Sequence, residues 1–176
     1  RATQAERQPG STMKPFVYLA AIQSGKTPGS IVEDSPVSFG SWSPKNYEND
    51  YEGSITYRYA LQHSRNVAAV KIADEVGMTK VIKLAKEMGI STLTDQDYNL
   101  STALGGLTHG VTPLEMVQAY GVLANGGIKV QPTAILKIVD RNGQVVEEHS
   151  IQEKRVVDEK DAAIITNMLE SVINGG

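Results

Sequence analysis

Two residues near the start of the chain, Ser11 and Lys14, have the types and the spacing of an acyl-transfer pair. Residues three apart in a helix share a face, so the Lys14 amine is expected to reach the Ser11 hydroxyl. A serine becomes a good nucleophile when a neighbour takes its proton. A lysine does this only when burial or a nearby cation lowers its pKa well below about 10.4. The apolar run after Lys14 predicts such burial.

The local sequence places this pair at the beginning of a helix. Pro9-Gly10 is a turn signal, and Pro15 is tolerated only in the first helical turn, where its missing N–H is not needed. The first N–H groups of a helix have no partner within it, and the helix dipole favours negative charge beside them. The backbone N–H of Ser11 is therefore expected to stabilise an oxyanion that forms next to the hydroxyl.

Periodicity and breakers predict the elements that must position this pair. The apolar run after Ser11 predicts a first helix. A glycine-rich turn, residues 104–113, leads into a later one. Long apolar segments between Gly, Pro and Asn predict further helices, and Asp140-Arg141-Asn142-Gly143 predicts a β-hairpin between 133–139 and 144–148. The further helices are predicted at residues 55–63, 67–76, 78–88, 113–124 and 158–173.

Two of these helices are predicted to have particular packing roles. The helix at 113–124 has only Glu115 and Gln118 as polar residues, which favours a place in the centre of the core. The last helix presents Ala162, Ile165, Leu169 and Val172 as an apolar stripe, and we expect this stripe to face the core.

Residues 30–53 are predicted to form a long loop that holds Trp42, Pro44, Asn46, Tyr47 and Tyr51. Such a cluster of aromatic and amide groups either lines a substrate groove or packs the loop onto the body of the protein. The sequence leaves both interpretations open, and Trp42 is kept as a candidate substrate-binding residue.

Composition narrows the possible functions of the 176 residues. A formal net charge of -3 provides no basic field for a phosphate backbone, so nucleic acid is an improbable partner. No cysteine is present, which excludes disulfides and thiolate catalysis. The three histidines lack the spacing of a metal site, and we expect neither a metal nor another cofactor. No apolar run approaches the 18 residues that a membrane span needs.

The longer motifs resemble one family. Ser-x-x-Lys at residues 11–14 is followed about fifty residues later by Ser64-Arg65-Asn66, the order found in penicillin-recognising acyl-transferases. More specific strings are RQPGSTMKPF at 7–16, the segment 47–53, and GVTPLEM at 110–116 with ANGG at 124–127. Together they resemble the transpeptidase domain of a class A, bifunctional penicillin-binding protein over nearly the whole chain.

The resemblance implies an α+β fold, related to the serine β-lactamases, of which this chain forms mostly the helical lobe and a β-hairpin. Ser11 matches the nucleophile that attacks a D-Ala carbonyl of a peptidoglycan stem peptide, and Lys14 matches its proton acceptor. Ser64 matches the hydroxyl that passes a proton to the leaving amine. Asn66 matches the amide that binds the substrate backbone and the lysine, whereas Arg65 occupies the variable middle position and has no assigned role.

The resemblance also implies missing parts. The family's Lys-Thr-Gly motif is absent from the 176 residues, although it supplies a substrate clamp and a second oxyanion donor. Residues 1–176 are therefore expected to be the N-terminal part of one transpeptidase domain, truncated at both ends and inactive alone, completed by a C-terminal segment or a separate chain. The implied location is the extracytoplasmic face of a bacterial membrane, with an N-terminal anchor.

The implied partners are stem peptides, namely a D-Ala-D-Ala donor and an amine acceptor, and β-lactam antibiotics, which acylate the serine. Three alternatives remain open. A serine β-lactamase would hydrolyse its acyl-enzyme, for which no base can be named here. A penicillin-sensing module would keep Ser11 and Lys14, and a non-catalytic penicillin-binding module would need neither.

Overall fold

The computed structural model describes residues 1–175, and its centre is the helix that follows the Ser11 turn. The chain forms a 3-10 turn at Gly10–Met13 and continues as α1, Lys14–Gln23, whose residues from Lys14 to Ile22 are all buried. A helix that is apolar on every side is stable only inside a protein. The predicted helix start is therefore confirmed, and its N-terminal end carries the candidate pair.

The other helices surround α1 or pack beside it. They are α2 (Tyr57–Gln62), α3 (Asn66–Val76), α4 (Met78–Met88), α5 (Pro113–Ala124) and α6 (Glu159–Gly175). Helices α2, α3, α4 and α6 contact α1, whereas α5 packs against α4 and α6. The predicted bounds of α4 and α5 are confirmed, because Gly77, Gly89 and the Thr112-Pro113 cap mark their ends.

Residues 1–175 also form three two-stranded antiparallel sheets. Strand β1 (Ile31–Asp34) pairs with β2 (Gly53–Thr56), β3 (Ile128–Val130) with β6 (Glu153–Arg155), and β4 (Lys137–Val139) with β5 (Val145–Glu148). The predicted hairpin is confirmed in β4 and β5. Its turn is closed by the Asp140 carboxylate, which accepts hydrogen bonds from the N–H groups of Asn142 at 2.8 Å and Gln144 at 2.9 Å.

The prediction of a helix over 55–63 was wrong at its start. Ile55 and Thr56 pair with β1, because β-branched residues suit a strand when a partner strand is available. Helix α2 begins only at Tyr57, and the Thr56 hydroxyl caps it by accepting the N–H of Tyr59 at 3.2 Å. The predicted loop at 30–53 accordingly contains a strand, β1.

Two packing predictions were also wrong in part. Helix α5 is not central: it buries only Ala119, Val122 and Leu123, while Leu114 and Val117 are exposed, because a single face packs against α4 and α6.

In α6, Ala162 and Ile165 are buried as predicted, but Met168 completes the buried stripe. Leu169 is only partly buried and Val172 is exposed. The buried positions thus end at Met168, whereas the last residues of α6 lie at the surface. None of the helices within residues 1–175 combines the length and the hydropathy that a bilayer crossing requires.

Candidate functional site

The turn that carries Ser11 is held from below by a glycine-rich loop, residues 105–111. Gly105 has a φ of +77° and lies so close to Gly10 that a Cβ on Gly105 would overlap the Gly10 backbone. Gly110, with a φ of +102°, lies in the same way against the backbone of Arg7. Only glycine fits such positions, because both the positive φ and the close approach exclude a side chain.

Hydrogen bonds fix the same turn. Arg7 and Val111 exchange two backbone hydrogen bonds of 2.9 Å. The Gln8 amide donates to the carbonyl of Leu107 at 2.8 Å and accepts the Leu107 N–H at 2.7 Å. Ser11 is thereby presented on the surface, at the N-terminal end of α1.

Lys14 lies directly beneath this surface and is only 1% exposed. Its Nζ donates to the Ser64 carbonyl at 2.6 Å, to the Ser64 hydroxyl at 2.9 Å and to Asn66 Oδ1 at 2.7 Å. Burial lowers the pKa of Lys14 from 10.5 to about 8. At pH 7 about one tenth of an amine with this pKa is neutral, against less than about a thousandth at the ordinary pKa, so Lys14 is suited to general-base work.

The structure thus brings together three of the predicted site residues, Lys14, Ser64 and Asn66, although fifty positions separate the first two. Within residues 1–175 no hydrogen bond joins the Ser11 hydroxyl to them. The three acceptors around Lys14 match the three N–H bonds of an ammonium group, which has no lone pair to receive a proton. Deprotonation of Lys14 provides that lone pair one helical turn from Ser11.

The bend that carries Ser64 has an uncommon backbone. Ser64 has a φ of +51°, in the left-handed region that a residue with a Cβ seldom adopts. The bend connects the end of α2 to α3, with the N–H of Ser64 bonded to the Leu61 carbonyl at 3.0 Å and the N–H of Arg65 to the Ala60 carbonyl at 2.9 Å. This conformation directs both the carbonyl and the hydroxyl of Ser64 to Lys14.

Residues that the sequence analysis missed support the bend. Arg65, to which no role was assigned, is buried and forms an ion pair with Asp34, which is fully buried, at 2.7 Å. Its guanidinium also reaches Asp50 at 3.0 Å and Glu52 at 3.2 Å. The hydrogen bond from Arg65 holds the pKa of Asp50 below its ordinary value. No local sequence pattern indicated these contacts, since they join separate segments.

Asn46 was named from the sequence only as one of the polar and aromatic residues of the 30–53 loop, and its contacts were not predicted. Its side chain is buried, accepts the backbone N–H groups of Asn66 and Val67, and donates to Asp34 and to the Asp50 carbonyl. No local sequence pattern indicated these contacts, since they join the 30–53 loop to the start of α3 twenty positions later.

Trp42, the candidate substrate-binding residue, is half-buried in a tight turn with Phe39. The two residues exchange backbone hydrogen bonds of 2.7 and 3.1 Å, and their ring centroids lie 6.4 Å apart. Lys45, three residues after Trp42, accepts the Asn66 side-chain N–H with its carbonyl at 3.0 Å. The substrate-binding role of Trp42 stays a prediction. Among residues 1–175 no cluster of His, Cys, Asp and Glu could hold a metal ion.

Comparison with known proteins gives concordant matches. The family model described as the penicillin binding protein transpeptidase domain matches residues 1–176. Penicillin-binding protein 1A of Rickettsia conorii is 39% identical over 176 residues, which cover 97% of this chain and 22% of that protein. The chain therefore spans less than a quarter of the length of this curated relative.

Solved structures agree with the sequence matches. Penicillin-binding protein 1A from Haemophilus influenzae superposes with a TM-score of 0.91 at 28% identity, covering 100% of this chain and 31% of that one. PonA1 from Mycobacterium tuberculosis, solved in complex with penicillin V, gives a TM-score of 0.83 at 25% identity, covering 94% of this chain and 47% of that one. The predicted fold class and the resemblance to class A penicillin-binding proteins are confirmed.

Proposed function

We propose that this chain, which belongs to the penicillin-binding protein transpeptidase domain family, supplies the nucleophile and the proton-transfer groups of a serine D,D-transpeptidase. The donor substrate is a peptidoglycan stem peptide that ends in D-Ala-D-Ala, and the acceptor is an amine of a second stem peptide. The observation that carries this proposal is the cluster in which buried Lys14 contacts Ser64 and Asn66 at 2.6 to 2.9 Å.

The first half of the reaction forms an ester. Neutral Lys14 takes the proton of the Ser11 hydroxyl as its oxygen attacks the penultimate D-Ala carbonyl, and the tetrahedral oxyanion forms beside the N-terminal end of α1. Lys14 then returns the proton through the Ser64 hydroxyl, which lies 2.9 Å from its Nζ, to the nitrogen of the departing D-Ala. The C–N bond breaks and the acyl group remains on Ser11.

The second half reverses these proton movements. The acceptor amine attacks the ester carbonyl and loses a proton through the Ser64 hydroxyl to Lys14. Lys14 then returns this proton to the Ser11 oxygen, which leaves as the ester bond breaks. The side chain of Asn66 donates to the Lys45 carbonyl and accepts from Lys14. It thereby keeps the Lys14 amine beside the Ser64 hydroxyl in both halves of the reaction. A β-lactam enters the first half-reaction in place of the donor peptide and leaves a stable ester on Ser11.

Residues 1–176 contain no Lys-Thr-Gly sequence. We propose that a further segment, on the same or another chain, supplies that motif and completes the domain, and that residues 1–176 alone do not turn over substrate. The intact protein would then act on the extracytoplasmic face of a bacterial membrane, where peptidoglycan is assembled. Full transpeptidation by residues 1–176 alone would contradict this part of the proposal.

Mass spectrometry of the full-length protein after exposure to a labelled penicillin tests the function. The expected result is a persistent adduct on Ser11, its loss in Ser11→Ala, and release of D-Ala from a stem-peptide donor. The alternatives give different outcomes. No adduct indicates a non-catalytic module, and rapid loss of the adduct indicates a β-lactamase. A persistent adduct without D-Ala release indicates a penicillin sensor.

A further inference from the structure

Asn46 connects four separate groups through one buried side chain. Asn46 is only 4% exposed. Its Oδ1 accepts the N–H groups of Asn66 at 2.9 Å and Val67 at 3.1 Å. Its Nδ2 donates to the Asp34 carboxylate at 2.8 Å and to the Asp50 carbonyl at 2.9 Å. The amide can have only one orientation, because two of its partners only donate and the other two only accept.

The first pair of contacts makes Asn46 the cap of α3. The residue before the helix, Arg65, provides no side-chain cap, so the first N–H groups of α3 need an acceptor from elsewhere. Asn46 supplies this acceptor from twenty positions earlier in the chain. Because Asn66 is the first residue of α3, the bond to its N–H fixes the position of the residue that contacts Lys14.

Lys45, the residue before Asn46, binds the side-chain amide of Asn66. The Lys45 carbonyl accepts the Asn66 Nδ2–H at 3.0 Å, which leaves Asn66 Oδ1 pointing to Lys14 Nζ at 2.7 Å. Consecutive residues of the 45–46 segment therefore fix both the backbone and the side-chain amide of Asn66. Asp34, which also pairs with Arg65, anchors this segment through the second pair of Asn46 contacts.

We propose that Asn46 is a positioning residue of the acyl-transfer site: it holds Asn66 in the one place from which the Asn66 carbonyl oxygen reaches the Lys14 amine. The inference rests on the proposed function, in which Lys14 and Asn66 serve acylation of Ser11. Asn46 itself contacts neither Lys14 nor Ser11 by a hydrogen bond within residues 1–175, so it acts through Asn66.

This arrangement affects the proton on Lys14 as well as its position. An oxygen that accepts from Nζ favours the ammonium form, so the loss of the Asn66 contact lowers the pKa of Lys14 further than burial alone. In Asn46→Ala, the acidic limb of the pH profile for acylation should move to lower pH. A residue that contributed only stability would leave the profile of the folded protein unchanged.

The test measures the second-order rate constant for acylation of the full-length protein by a fluorescent penicillin. Asn46→Ala should lower this constant about 100-fold, as expected for misplacement of a catalytic contact by about 1 Å. In an Asn66→Ala background the same change should have little further effect, because the residue through which Asn46 acts is already gone. Asn46→Leu, which has nearly the same shape but neither the acceptor nor the donors, replaces Asn46→Ala in this cycle if the alanine variant does not fold.

Glu115→Ala is the matched control. Glu115 is another hydrogen-bond centre at a helix start: it accepts the N–H groups of Ser91 at 2.7 Å and Thr112 at 2.9 Å. This variant should lose stability while the folded protein keeps its acylation constant and pH profile.

An equal loss from Asn46→Ala in both backgrounds, or an unchanged constant in the folded variant, would overturn the inference alone. Absence of acylation in the unsubstituted protein would overturn the proposed function and the inference with it.

Discussion

Gly105 and Gly10 lie in direct backbone contact, with no room for a Cβ on Gly105. This contact supports the turn that presents Ser11. Gly105→Ala should therefore displace the turn and strain a residue with a φ of +77°, at a cost of about 2 kcal/mol or more in the free energy of unfolding. Acylation of the folded fraction should slow as well. Chemical denaturation and penicillin labelling measure the two effects.

Gly121→Ala provides the control for that change. Gly121 lies within α5 with no atom near the position that its Cβ would take. Alanine there should stabilise the protein by about 1 kcal/mol, because it removes the helix penalty of glycine, and should not change acylation. Equal behaviour of the two variants would show that Gly105 has no special place beneath the nucleophile turn.

Substitution of Gln8 should slow acylation by an amount that depends on how many of its hydrogen bonds are lost. Its amide both donates to and accepts from the backbone of Leu107. Gln8→Glu keeps the acceptor but sets a carboxylate against the Leu107 carbonyl, and Gln8→Ala removes both bonds. We expect slower acylation in both, by about tenfold when one positioned hydrogen bond is lost. Crystal structures of the variants would check whether the turn shifts, and a full rate with an unmoved turn would contradict the prediction.

The low pKa of Lys14 predicts two pH dependences. Acylation should fall as the pH drops below about 8, since protonated Lys14 cannot act as a base. The contribution of Lys14 to stability should rise between about pH 8 and 10.5, because over that range its amine binds a proton in the unfolded chain but not in the folded protein. Full stability from this group is thus present above 10.5 and is lost as the pH falls to about 8. The difference amounts to about 3 kcal/mol.

Lys14→Met separates this contribution from the rest of the protein. The variant should lose acylation and lack the rise in unfolding free energy that Lys14 contributes between pH 8 and 10.5, so its free energy relative to the unsubstituted protein should fall as the pH increases over this range. Denaturation curves at several pH values measure it. An identical pH dependence in the variant would mean that Lys14 is not the titrating group.

Arg65 should be important for stability. Arg65→Met leaves the fully buried Asp34 carboxylate without its cation, which typically costs about 3 kcal/mol or more. Lys83→Met is the control, since Lys83 and Glu87 form an exposed pair at 4.0 Å, which contributes less than about 1 kcal/mol. Similar losses in urea denaturation for the two variants would argue against a special role of the Arg65 pair.

The sequence predicted those parts of the fold that local signals determine. Helix α4 lies between two glycines, and Thr112-Pro113 begins α5 with a cap that the structure contains, in which the Thr112 hydroxyl accepts the Glu115 N–H at 3.2 Å. By contrast, Ile55 and Thr56 were assigned to a helix, because their strand partner β1 lies more than twenty residues earlier. Pairing between distant segments has no local pattern.

The candidate site divides in the same way. Ser11, Lys14, Ser64 and Asn66 were named from motifs, and the structure joins the last three by hydrogen bonds. The contacts of the residues that hold them, Asn46 and the Arg65 ion pair among them, could not be predicted from the sequence. Their roles depend on which side chains meet in space, and Arg65 stands at a position that the motif leaves variable.

The left-handed backbone at Ser64 also has a cost, of about 1 kcal/mol relative to glycine. Ser64→Gly relieves this cost but removes one of the three acceptors of the buried Lys14 amine, so the melting temperature should change little while the hydroxyl for proton transfer is lost. Selection for heat resistance alone would therefore barely distinguish serine from glycine at this position, and a thermostability screen has to measure catalysis as well if it is to retain the serine.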